Sequence, residues 1–515
     1  MSVLIIGANP TGLILAYQLA SYNIPFRIID FRTGFSDKLE KNNEPILLSP
    51  ISLNILQNLN LLNKPLFPHQ LIKGVSYYWK NTLIQNNLIE SHEIIPYSLL
   101  TSKHELEKYL SKYLTELNIK VEWETKPIAF VDDKLFTEKN IPKQELGERK
   151  ASQETWIIAC EANDNPYLLD LIKINNKSGK TFTWFSSSNF SSTALSSNHI
   201  HNLPNFSAFP KYIFPSFNYD SPNQFYLISQ NQHISLKEEI YLNKNFCLTN
   251  PLLNQDFFSY TLINFPLQYK NILFVGHKTF NCYHLFPLNI NVHIQAVLNL
   301  SWKLILSLSK ASTKSLVLTY DQEVNSALKL ISQKIKSFSK QLIFTQKWFP
   351  YYFYWKLRSN SLNKNKQEHL FNKFTLQYSK TSLLKQNNYD KEWKGPQCGS
   401  IAPNYLIEKN RFLLDPIQGK KHLLLFFKEN KTLASALYEE YGNWIEIISI
   451  QEKNIKDIYH ASDNSLYIIR PDYIIGYRSK DFKIKDIVTY LIKIFKNHIN
   501  SNNNSIKESK LSIAH

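Results

Sequence analysis

Glycine is scarce in this chain, with 12 residues in 515, where an ordinary protein would have about 7%. A chain this poor in glycine keeps it where nothing else fits, so each remaining glycine is a candidate for a tight turn or a close approach. Methionine occurs once. The four cysteines, Cys160, Cys247, Cys282 and Cys398, lie far apart and form no CxxC pair. That spacing excludes a zinc ribbon and a disulfide framework, and fits a reducing cytoplasm. No uninterrupted apolar run is long enough to cross a bilayer. The nearest, Leu342 to Leu357, is broken by Lys347, Pro350 and Lys356. The N-terminus enters a strand with no basic flank, so no secretory signal is expected. The net charge is +17, yet the lysines are scattered and no block of like charges stands out. A basic solvated surface is expected rather than a nucleic-acid partner.

What is present is an ordinary globular composition, 43% hydrophobic and 20% charged. The length suggests roughly two to four domains. Val3-Leu4-Ile5-Ile6 reads as a buried strand, 11–22 as the helix packed on it, and Phe26-Arg27-Ile28-Ile29-Asp30 as a second strand ending on an acid. This is a parallel βαβ start. Helical patterns follow at 46–62 and 103–118, an alternating strand at 121–125, and a buried strand at Trp156-Ile157-Ile158-Ala159-Cys160. From 176 to 265 the chain turns rich in Ser, Asn, Phe, Tyr and Pro, which suits an antiparallel sheet domain. Residues 271–276 return to the buried-strand type, and helices are predicted over 288–308, 321–345 and 365–387. The tract 395–404, with Gly395, Pro396, Gly399 and Pro403, marks a boundary. Strand patterns at 422–427, 445–450 and 466–470 suggest a small α/β domain, and 499–515 a disordered tail.

The motif with chemistry in it is Gly7-Ala8-Asn9-Pro10-Thr11-Gly12, between the first strand and the first helix. Gly7 permits the turn and Gly12 lets helix and strand approach. The helix N-terminus then offers N–H groups and a positive dipole to a pyrophosphate. Asp30 ends the next strand, where a carboxylate can take a ribose hydroxyl. Asn9 stands where the fingerprint has its middle glycine, the one that lets backbone approach the phosphates.

Further motifs carry a family resemblance over nearly the whole chain. Phe274-Val275-Gly276-His277 leads to Asn291 and then to Asn299-Leu300-Ser301-Trp302-Lys303-Leu304, with Tyr320-Asp321-Gln322-Glu323 shortly after. Ile469-Arg470-Pro471-Asp472-Tyr473 lies near the end. These resemble the FAD-dependent aromatic hydroxylases, single-component flavoprotein monooxygenases related to phenol and polyketide hydroxylases. The resemblance implies an α/β fold: a Rossmann-like FAD-binding domain (1–175 and 266–390, with a helical extension), an inserted antiparallel substrate sheet (176–265) and a thioredoxin-like domain (395–498). It implies FAD as cofactor, NAD(P)H as reductant, and a small aromatic or polyketide-like substrate between the flavin and the sheet. Cofactor contacts are expected from Gly7, Asn9, Gly12, Asp30, Arg32, Lys103, Gly276, His277, Pro287 and Asn291. Oligomeric state stays open, a homodimer included.

The sequence departs from that family at the flavin contacts. His277 replaces an Asp, and Phe286, His284, Asn289 and His293 occupy positions of small or proline residues. Glu161 begins a second altered motif, and Glu44 stands in place of an Arg. A carboxylate near a pyrophosphate repels it. Two readings follow: a working monooxygenase, or a non-catalytic descendant, a binding or scaffold protein, with FAD weakened or lost. His277, His284, His293 and Cys282 fit no standard ligand spacing, so no metal is expected. The aromatic tract Trp348 to Trp355 is expected to pack between the FAD-binding and C-terminal domains.

Overall fold

A computed structural model describes residues 3–35, 45–64, 68–79, 82–88, 95–132, 134–139, 148–152, 155–160, 267–276, 288–348, 375–379, 381–386, 393–408 and 411–495, with strands and short segments between 181 and 261. Glu44, Glu161, His277, His284, Phe286, Pro287, the tract 349–355 and the tail 499–515 lie outside the described residues.

Strand β1 (Val3–Ile6) pairs in parallel with β2 (Phe26–Ile29) on one side and with Trp156–Ala159 on the other. Ile272–Phe274 extends the sheet in parallel, and the short Gln268–Tyr269 closes it antiparallel. β1, Trp156–Ala159 and Ile272–Phe274 are buried throughout, as expected for parallel strands covered on both faces. Helix α1 (Pro10–Ser21) packs against α3 (Lys103–Glu116) and against the long helix Asn289–Leu308. That long helix is buried from Asn289 to Ser307, so its polar residues must find partners inside the protein.

Asparagine does the work that the missing glycines would do at helix ends. Helix α1, α2 (Pro50–Asn58) and α3 are each followed by an Asn in the left-handed region: Asn23 at φ 55°, Asn60 at φ 60° and Asn118 at φ 57°. Each makes the same stop. Asn23 N–H donates to Ala20 O and Ile24 N–H to Leu19 O, and the pattern repeats at Asn60–Leu61 and Asn118–Ile119. Asn tolerates this backbone better than other non-glycine residues, which is why the helices still close.

A second, mostly antiparallel sheet contains Thr181–Ser187, His199–Asn202, Lys211–Pro215, Gln224–Gln230 and Asn254–Thr261, matching the expectation for 176–265. It also recruits Gly74–Trp79 and Thr82–Leu88 from much earlier in the chain, the former in parallel with His199–Asn202. The C-terminal sheet runs Lys385–Gln386, Ile475–Ser479, Leu466–Ile469, His422–Phe426, Ile445–Ser449. His422–Phe426 is parallel to Ile445–Ser449 and antiparallel to Leu466–Ile469. Helix Ile484–Ile494 covers part of it with Ile487, Tyr490, Leu491 and Ile494, the spacing that places side chains on one helical face. Arg478, fully buried, donates to the carbonyls of Gly395 and Pro396 at 2.6 and 3.0 Å and lies over the Trp393 ring. The boundary tract is thereby fastened to the sheet it precedes.

Three expectations fail. The helix predicted over 46–62 is a strand, Pro45–Leu48, followed by α2, because Pro50 fits only a first helical turn. Within 121–125 Glu122 bridges to Ile29, Glu124 turns the chain at φ 55°, and Thr125 opens the next strand opposite Lys139. The described part of 365–387 is not helical. Leu376 N–H donates to Gln295 Oε1, Tyr378 N–H to Gly399 O, and Lys385–Gln386 joins the C-terminal sheet.

The family-like motifs Asn299, Lys303, Glu323, Arg470 and Asp472 converge in one buried charge cluster. Arg470 grips Glu323 with two N–H groups at 2.7 and 3.0 Å. Lys303 Nζ and Asn299 Nδ2 each reach Glu323 Oε2 at 2.8 Å, and Thr381 donates to Oε1. Asp472 takes Arg470 and Asn299. The cluster locks the long helix, helix Lys314–Trp348 and the C-terminal sheet together.

Candidate cofactor cradle

The cradle starts where β1 ends. Gly7, at φ 107°, donates its N–H to Ile29 O at 2.8 Å and turns the chain into α1. A Cβ on Gly12 would collide with the Gly7 carbonyl oxygen, and one on Gly276, at φ 82°, would lie 2.8 Å from Thr11 Oγ1. These two positions have no room for a side chain. Gly276 thus brings the fourth parallel strand's end against the α1 N-terminus.

Asn9 caps α1. Its Oδ1 accepts the Gly12 N–H at 3.0 Å and its Nδ2 donates to the Cys160 carbonyl. Pro10, at the first helical position, lacks the N–H that would otherwise go unmet there.

Asp30, buried at the end of β2, accepts the Ala8 N–H on Oδ2 at 2.7 Å. Arg32 wraps it: N–H and Nε donate to Oδ1 and NH2 to Oδ2. Arg32 also donates to Ala8 O at 3.1 Å and to Glu107 Oε2 at 2.8 Å. Burial would pull the Arg32 guanidinium down, but Glu107 and Asp30 override it and raise it. Burial raises the Glu107 carboxyl, against the lowering pull of Arg32 and Lys103. Lys103 opens α3 one turn before Glu107, and Arg32 stands at the α1 N-terminus through its bond to Ala8 O.

Glu107 is the residue that sequence reading missed. The signal was there: it follows Lys103 by four residues, on the same helical face. Its Oε1 is buried with no hydrogen-bond partner in the protein, an acceptor that a hydroxyl-bearing ligand would satisfy. Asn291 also joins two elements. Its Oδ1 accepts the Ser49 N–H and its Nδ2 donates to Leu47 O and Leu288 O, which ties the long helix to the Pro45–Leu48 strand. Among the described residues no group of three or more His, Cys, Asp and Glu could hold a metal, and no helix is long and apolar enough to cross a membrane.

A strand–glycine turn–helix cradle with an acid at the second strand defines a dinucleotide-binding α/β protein. Residues 1–185 match the FAD binding domain family. No curated protein matches the sequence. Among solved structures the chain is similar to the rebeccamycin biosynthetic enzyme RebC with reduced flavin, at TM-score 0.71 and 14% identity, over 96% of this chain and 98% of that one. It is also similar to aklavinone-11 hydroxylase in complex with FAD and aklavinone, at TM-score 0.69 and 13% identity over 96% and 99%. The flavin-dependent monooxygenase PieE, in complex with FAD and substrate, gives TM-score 0.68 and 13% identity over 96% and 99%. The chain shares its fold with these three structures.

The cradle fits the adenosine diphosphate half of FAD: glycines where a Cβ has no room, an unpartnered buried acceptor at Glu107, and the Arg32 guanidinium beside it. Gly12→Ala is expected to cost about 2–3 kcal/mol through overpacking against Gly7. Thermal melting of the variant checks this, and a wild-type melting temperature would contradict the packing argument.

Proposed function

We propose that the protein is an FAD-dependent monooxygenase that hydroxylates a small aromatic or polyketide-like substrate, with NAD(P)H as reductant. The observation that carries this is the cradle at Gly7 and Gly12, within the residues that match the FAD binding domain family, with Gly276 packed against it from a later strand. Bound FAD would supply the oxygen chemistry, the overall reaction consuming O2, NAD(P)H and a proton and yielding the hydroxylated ring, NAD(P)+ and water. The chain's own residues bind and orient. The α1 N-terminus and Lys103 would face the diphosphate, and Asp30 with Glu107 the ribose hydroxyls. The substrate would lie against the second sheet, where a planar apolar ligand is the chemical match.

The C-terminal unit, with no CxxC, is read as a thioredoxin-like appendage in a structural role. Its strand arrangement supports this, a parallel pair joined by a helix and followed by an antiparallel hairpin and a helix. A cytoplasmic location agrees with the cysteine pattern.

Purified protein is expected to be yellow, or to become so on reconstitution with FAD, and to oxidise NAD(P)H faster with a suitable phenol or polyketide present. Colourless protein that cannot be reconstituted would overturn the proposal and leave a non-catalytic descendant.

A further inference from the structure

We infer that Asn9 is an internal competitor for the FAD diphosphate, resting on the FAD reading above. Its backbone is extended at φ −82° and ψ 175°, a conformation open to any residue, so the position does not need glycine for its dihedral angles. What glycine offers there is the lack of a side chain, which lets phosphate oxygens reach the backbone. The side chain is also pinned at both ends. Oδ1 holds the Gly12 N–H at 3.0 Å, and Nδ2 holds the Cys160 carbonyl at the end of the neighbouring strand. The residue is 3% exposed.

A helix N-terminus leaves its first N–H groups without intrahelical partners, and a bound phosphate collects them. Here the Asn9 oxygen already takes one. A diphosphate that claims the Gly12 N–H must displace the Asn9 amide, and the bond from Asn9 to the Cys160 carbonyl is then lost as well. The same contacts that steady the cofactor-free protein therefore weaken cofactor binding. The result is a cradle in which FAD is held reversibly.

The test compares wild type with Asn9→Gly and Asn9→Ser for binding FAD, ADP and riboflavin, read by flavin fluorescence and calorimetry. A hydrogen bond to a charged group contributes about 1.5–3 kcal/mol, so Asn9→Gly should bind FAD and ADP roughly tenfold tighter or more. Riboflavin, which has no diphosphate, should bind unchanged. Asn9→Ser keeps a capping oxygen but is too short for the Cys160 carbonyl, and should fall between the two. It decides the question if Asn9→Gly does not fold. FAD and ADP binding no tighter in either variant, with wild type binding FAD, overturns the inference and leaves the FAD reading standing. A parallel gain for riboflavin overturns it too. No binding of FAD, ADP or riboflavin by any of the three proteins overturns both.

Discussion

Glu323→Ala should remove about 3–5 kcal/mol of folding stability, the loss typical when a buried ion pair is broken from one side. The substitution leaves Arg470 and Lys303 facing each other without the carboxylate they share, and both are 0% exposed. Thr381 and Asn299 lose an acceptor at the same time. Burial would raise the Glu323 carboxyl, but Arg470 and Lys303 override it and hold it well below its ordinary value. Lys303 is pulled the other way, its ammonium pushed down to about 8 by burial although Glu323 opposes the shift. The cost falls on one joint, where the long helix, helix Lys314–Trp348 and the C-terminal sheet meet. Thermal melting should drop by on the order of 5–10 °C, and limited proteolysis should cut sooner near the 395–404 tract. Unchanged melting and cleavage would show that the cluster contributes no net stability, which its desolvation cost allows in principle.

Acid should destabilise the protein through His422 before any carboxylate of the cluster titrates. His422 is fully buried between Trp302 and Phe495, its ring centroid 5.3 Å from each. Neither ring nitrogen has a hydrogen-bond partner. Burial, with Arg470 beyond the Trp302 ring, pushes the imidazole down to about 3. The folded value lies below the unfolded one of 6.5, so the unfolded chain takes up the proton first. No protonation penalty therefore applies above pH 6.5, and stability falls as pH drops from 6.5 towards 3. The full window is worth up to ~5 kcal/mol. Glu323 acts in the same direction but only below its ordinary value of 4.5. Between pH 6.5 and 4.5 His422 acts ahead of Glu323 and together with His201, whose imidazole burial pushes down to about 4, so the difference between wild type and a His422 variant in denaturant titrations gives the His422 share. His422→Leu should flatten that limb, and an acid slope equal to wild type would refute the assignment.

Parts of this protein were legible in its sequence because they are locally determined. The βαβ start, the turn at Gly7, the helix over 288–308 and the strands near 422, 445 and 466 follow from hydrophobic period and turn residues within one short window. The glycine shortage pointed the same way. Gly12 and Gly276 sit where a side chain has no room, while Asn23, Asn60 and Asn118 serve where glycine is merely usual.

Other features were decided by contacts between distant segments. Residues 376–386 carry a helical pattern, yet Gln295, Gly399 and the Ile475–Ser479 strand take their backbone groups. Gly74–Trp79 and Thr82–Leu88 belong to a sheet otherwise built after residue 180. The motif residues Asn299, Glu323, Arg470 and Asp472 could be read as a family signature, but only the fold shows that they share one buried charge cluster. The same is true of Asn9. The sequence marks a replaced glycine, and only the tertiary structure supplies the Cys160 carbonyl that pins its side chain. Periodicity and turn chemistry act within a few residues, whereas charge pairing and strand recruitment depend on which segments packing brings together.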